Sequence, residues 1–156
     1  MKLHLIRHAK TLQPEINERD FDRHLMEKGK RQAKALSEYL SERSISYEVW
    51  CSDAVRTRET LALLEEKCKF SSATYMNELY LCSAQTFLEK LWRDNSDEDL
   101  VIVGHNFGIS DLASYFLEKD IELRTGEYIC IDFGNYSRNE TSKGLGKLFD
   151  RWRFEE

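Results

Sequence analysis

Two arginines and two histidines sit in three separate segments whose pattern could bring them together. Arg7 and His8 close the apolar run Leu3-His4-Leu5-Ile6, Arg56 opens the cluster Arg56-Thr57-Arg58, and His105 ends Leu100-Val101-Ile102-Val103-Gly104. A planar guanidinium can hold two phosphoryl oxygens at once, and a neutral imidazole can attack phosphorus. Any one of these residues alone reads as an ordinary hydrogen-bonded histidine or a solvated charge. Their shared position at the ends of apolar runs favours a common anion site, because open α/β sheets place their ligands at the carboxyl ends of strands.

The elements needed to position them follow from hydrophobic spacing. Lys2 to Arg7 reads as a first strand, followed by a polar loop holding Glu15, Glu18, Asp20 and Asp22. Leu25, Gly29, Ala33, Leu36 and Leu40 fall at three- and four-residue intervals and predict an amphipathic helix. Tyr47 to Cys51 reads as a strand, with Ser52 expected to cap the helix that presents Arg56 in its first turn. Ala73 to Met76 is a weaker strand, and Ser83 opens a helix through Phe87, Leu88, Leu91 and Trp92. Leu100 to Val103 is the most apolar strand, and Ile109 to Leu117 the clearest helical stripe. Tyr128 to Phe133 and Lys147 to Phe154 read as late strands joined by a polar turn, Gly134 to Gly144. In the last of these, Trp152 and Phe154 are expected to pack on the sheet edge. Alternating strands and helices predict a three-layer α/β/α sandwich, with a central, mostly parallel sheet carrying an antiparallel strand.

Bulk properties narrow the function class. With 156 residues, one proline and no Pro/Gly/Ser-rich linker, the chain is expected to form one domain over residues 1–156. A net charge of -5 argues against a general nucleic-acid binder, though not against a local basic pocket. No stretch is apolar enough to span a bilayer and no signal-peptide pattern opens the chain, so no membrane partner and a cytoplasmic location are expected. Cys51, Cys68, Cys82 and Cys130 lack zinc or redox spacing and are expected to be plain thiols.

Taken in order, Arg7-His8-Ala9, Ser52 through Arg56 with Glu59-Thr60, and Gly104-His105-Asn106 resemble the histidine phosphatase superfamily, also called phosphoglycerate-mutase-like. The segment Asp20-Phe21-Asp22-Arg23-His24-Leu25 with Gly29 resembles its short bacterial phosphohistidine phosphatase (SixA-like) branch. Alanine replaces the usual glycine at Ala9, His24 stands where the branch has proline, and Phe107 where relatives often carry a small residue or proline. The resemblance implies a phosphatase working through a covalent phosphohistidine on His8, with Arg7 and Arg56 holding phosphoryl oxygens and His105 assisting. Arg23 and Asn106 are further expected phosphate contacts. Glu78 stands where larger relatives keep the acid that protonates the leaving group, with Asp20 and Asp22 as rivals. No cofactor or metal is implied.

The expected substrate is phosphohistidine on a protein. The alternatives are a broad small-molecule phosphomonoesterase acting on phosphorylated metabolites and a non-catalytic phosphate-binding domain. A mutase would need more chain to close its site against water, and a cysteine phosphatase would need Cys-x5-Arg. Cys51 to Arg56 has one residue too few and no glycine.

Overall fold

The computed structural model describes residues 1–43 and 47–155. Among them is a six-stranded sheet of order β3-β2-β4-β1-β5-β6. The strands are β1 (Lys2–Arg7), β2 (Glu48–Ser52), β3 (Ser72–Met76), β4 (Leu100–Gly104), β5 (Tyr128–Asp132) and β6 (Lys147–Trp152). Four helices cover the sheet: α1 (Glu27–Ser41), α2 (Val55–Leu64), α3 (Ala84–Trp92) and α4 (Gly108–Leu117). Strands β3, β2, β4 and β1 run parallel. Strand β5 runs antiparallel to both of its neighbours, β1 and β6, so it is the single reversed strand that was expected.

Two cores lie on opposite faces of the sheet. One packs Phe87, Leu91, Ile109, Leu112 and Phe116 of α3 and α4 against Leu3, Leu5, Leu100 and Ile102. The other packs Leu36, Leu40, Leu61 and Leu64 of α1 and α2 against Ile6, Val101 and Val103. Strand β4 is therefore buried on both faces, which is why it reads as an unbroken apolar run. Each such side chain contributes about 1.5–3 kcal/mol on leaving water.

Three local expectations are corrected. Ser52 is the last residue of β2 rather than a helix cap; Ala54 takes the N-cap position of α2 with no side-chain cap. In β6, Phe149 is the extra residue at a bulge opposite Cys130 and Ile131, which breaks the expected alternation and leaves Leu148 and Phe149 exposed. Trp152 still stacks on Tyr39, with ring centroids 5.6 Å apart. The Gly134–Gly144 segment is not simply a solvated turn, because Arg138 is 1% exposed and paired with Glu48 and Asp94, both at 2.7 Å. The four cysteines are free thiols. No helix among the described residues is long and apolar enough to cross a membrane.

Helix α1 meets the chain leaving β1 at Gly29. A Cβ there would stand 2.0 Å from the Lys10 carbonyl oxygen, which accepts the Met26 amide at 3.0 Å. Only glycine permits that approach. We expect Gly29→Ala to cost about 2 kcal/mol or more of stability in urea unfolding, since Lys10 is held by backbone and cannot yield cheaply. An unchanged midpoint at equal slope would contradict this packing.

Candidate active site

The parallel strands β1, β2 and β4 end on one side of the sheet, and the side chains that follow them line one cavity of about 340 Å³. Arg7, His8, Asp20, Arg23, Arg56, His105 and Asn106 are all on its wall. A cavity of about 720 Å³ at the opposite end of β1 is lined by Phe133, Tyr136 and Lys147 among others, and contains no histidine or arginine.

Backbone bonds fix the turn after β1. The His8 amide donates to the Gly104 carbonyl at 3.0 Å, tying β1 to β4 where the two histidines emerge. The Gly126 amide donates back to Arg7 and His8, and the Ala9 amide donates to Thr60 Oγ1 at 3.1 Å. Ala9 is fully buried there, so alanine fits where relatives keep glycine. The His8 and His105 rings lie 5.2 Å apart, centroid to centroid.

His8 Nδ1 is 2.8 Å from the Ala9 carbonyl oxygen. A carbonyl can only accept, so the ring proton sits on Nδ1 and Nε2 keeps its lone pair. Burial, reinforced by Arg56, Arg7 and Arg23, pushes the His8 pKa down to about 3. His105 is lowered to about 2, first by burial and then by His8 and Arg56. Its Nε2 is 2.7 Å from Ser52 Oγ, while Nδ1 is buried without a protein partner among the described residues. Both rings are therefore neutral at ordinary pH.

The arginines are steered by backbone oxygens and one carboxylate. Arg7 Nη1 and Asn106 Nδ2 share the Leu123 carbonyl, at 3.0 and 3.1 Å. The Asn106 side-chain oxygen accepts from the Ser110 hydroxyl. Arg56, only 3% exposed, donates to the Asp20 carbonyl at 2.7 Å and to its carboxylate at 2.9 Å. Arg23 donates to Asp20 Oδ1 at 3.1 Å, Thr11 Oγ1 at 2.6 Å and the Leu12 carbonyl at 3.0 Å. The Tyr80 hydroxyl donates to the same carboxylate. Burial works to raise the Asp20 pKa, but these donors outweigh it and hold the group at about 2. The Arg7 and Arg56 Nε atoms are buried and unpaired among the described residues.

Glu78 is not brought to the cavity. It lies in a 3-10 turn (Asn77–Leu79), 58% exposed, and its carboxylate pairs with Lys90 at 2.8 Å. Tyr80, two residues on, reaches Asp20 instead. Asp22 pairs with Arg19, away from the cavity lining, and Arg58 pairs with Asp53. Sequence reasoning missed Tyr80, and gave Ser52 and Thr60 no contact with the site. A tyrosine after a helical turn, a serine ending a buried strand and a threonine on a buried helix face carry no periodicity that marks such contacts.

The arrangement sets three guanidinium groups beside an unprotonated imidazole nitrogen, a combination suited to an oxyanion. The chain belongs to the histidine phosphatase superfamily (branch 1), whose family model matches residues 3–80. No curated protein matches it in sequence. Among solved structures it is similar to SixA of Agrobacterium tumefaciens, with 21% identity, 97% of each chain covered and TM-score 0.82. It is likewise similar to a protein histidine phosphatase SixA complexed with tungstate: 16% identity, 97% of this chain and 96% of that one, TM-score 0.81. A phosphoserine phosphatase of Entamoeba histolytica is more distant: 14% identity, 99% and 98% covered, TM-score 0.65. At these identities the likeness is one of fold.

Unfolded histidines titrate near 6.5. As pH falls from 7, the unfolded chain takes up protons that folded His8 and His105 refuse until about pH 3 and 2, so stability is lost downward from about 6.5. His105→Asn removes one of these sites and should flatten the fall in urea-unfolding free energy between pH 7 and 4. A slope equal to wild type would contradict a buried neutral His105.

Proposed function

We propose that this protein is a phosphatase working through a phosphohistidine on His8, and that its preferred bond is the P–N bond of phosphohistidine on a protein. The carrying observation is the state of Asp20. It is the one carboxylate lining the cavity among the described residues, and Arg23, Arg56 and Tyr80 keep it ionised. An alkoxide leaving group needs an acid, and an ionised carboxylate held near pKa 2 cannot serve at neutral pH. A substrate imidazole needs none from the enzyme, because water can protonate its far nitrogen before the P–N bond breaks. The name of the tungstate-bound structural neighbour, a protein histidine phosphatase, agrees with this substrate.

His8 Nε2 attacks phosphorus and the substrate imidazole departs with the bonding pair. Arg7 and Arg56 hold phosphoryl oxygens, and Arg23 steadies the loop that carries Asp20. The Ser52 hydroxyl donates a hydrogen bond to His105 Nε2, which leaves Nδ1–H as a donor to the oxygens that gain charge. Asn106 acts through the shared Leu123 carbonyl to hold Arg7. The Nδ1 proton stays on His8 against the Ala9 carbonyl, so the phosphorylated ring is a cation and leaves as neutral imidazole when water attacks. Both half-reactions then run without an enzymic acid.

Turnover of a phosphohistidine protein, p-nitrophenyl phosphate and an alkyl phosphate at matched concentrations tests this. The alkyl ester should be the slowest by at least about 10²-fold, the size of one general-acid contribution. Comparable rates for all three would contradict the acid-free site. His8→Ala should lose about 10⁴-fold or more in kcat. Glu78→Gln should stay within about twofold of wild type, as expected of a surface carboxylate outside the site; a larger loss on the alkyl ester would reinstate it as the acid.

A further inference from the structure

Beside the phosphate cavity lies a second one of about 360 Å³, sharing Lys10 and Thr125 on its wall. Its remaining charged lining is Lys28 from the first turn of α1, Arg124 from the turn before β5, and Arg153 and Glu155 after β6. Four cations thus face one carboxylate on a chain whose net charge is -5. The cavity has a firm floor: Gln32 is 6% exposed, and its Oε1 accepts the Lys10 amide at 2.9 Å. Four separate segments supply the cations; Lys10, Arg124 and Arg153 are exposed and Lys28 is half-buried.

We propose that this cavity binds carboxylates of an acidic segment next to the phosphorylated residue of a protein substrate. The proposal rests on the protein-phosphohistidine reading and adds to it a sequence preference. Long cationic side chains spread over four segments of a rim suit several carboxylates at variable spacing. A compact second phosphate would call instead for convergent buried guanidinium groups like Arg56. An acidic partner is repelled by the rest of the acidic surface and attracted at this mouth, so the charge pattern also orients it. Glu155 already sits at the cavity and would compete with such a segment.

Inhibition of p-nitrophenyl phosphate hydrolysis tests this without requiring peptide turnover. Two peptides carry a stable phosphonate analogue of phosphohistidine, one flanked by Asp and Glu, the other by Asn and Gln. At low salt the acidic peptide should bind about tenfold more tightly, and the preference should fade at high salt. Lys28→Ala with Arg124→Ala should erase it and Glu155→Gln should increase it, while p-nitrophenyl phosphate hydrolysis itself stays unchanged. Equal inhibition by both peptides, inhibition by neither, or a preference surviving the double substitution would overturn the proposal. So would inorganic diphosphate inhibiting far better than phosphate through Lys28 and Arg124, which would assign the cavity to a second phosphate. Failure of the phosphohistidine reading would appear separately, as an absence of turnover with a phosphohistidine protein.

Discussion

The site must gather positive charge around an imidazole that stays neutral. Arg7, Arg23 and Arg56 surround His8, and a protonated His8 would be both repelled and useless as a nucleophile. Burial settles the conflict in favour of the neutral ring. The arginines in turn need partners that do not fill the site permanently. Backbone carbonyls of Leu12, Asp20 and Leu123 take part of that load, because they accept hydrogen bonds without cancelling charge. One carboxylate, Asp20, supplies the only counter-charge among the cavity's described residues.

Topology makes this economical. With β1 between β4 and β5, and β2 on the far side of β4, the carboxyl ends of three parallel strands deliver Arg7-His8, Ser52 and Gly104-His105 to adjacent places. A single amide-to-carbonyl bond from His8 to Gly104 joins the two histidine turns. Helix α2 then brings Arg56 and Thr60 inward on a buried face that is polar as much as apolar. Its partner α1 can come close only because Gly29 has no side chain to strike the Lys10 carbonyl. The loop carrying Asp20 is closed by a Thr11–Leu25 bridge, and Glu59 accepts the Leu25 amide at 2.9 Å.

Much of this was legible in the sequence, for a physical reason. Strand-end residues are placed by the strand itself, so Arg7, His8 and His105 could be located from apolar runs alone. Arg56 followed because the helix after β2 begins at the same edge of the sheet. Side chains on turns are different: their direction depends on a few dihedral angles that no periodicity encodes. Glu78 and Tyr80 show this, since two positions along one 3-10 turn separate a surface ion pair from a contact to the cavity's carboxylate. The bulge at Phe149 was hidden likewise, because one extra residue shifts every later side chain to the other face. The buried Arg138 was missed because its partners come from β2 and from the segment after α3, far away in sequence.

In the proposed mechanism no protonated acid takes part. The cation that phosphorylation would form on His8 would carry its own leaving-group proton, held against the Ala9 carbonyl. The most direct measurement is rapid acid-free quenching of the enzyme with a labelled phosphodonor, followed by mapping of the label. A phosphoryl group stable in base, labile in acid and carried by the His8 peptide is the predicted result. Label on a serine, cysteine or carboxylate, or turnover with oxygen-18 water delivering its oxygen to phosphate in one inverting step, would contradict the account.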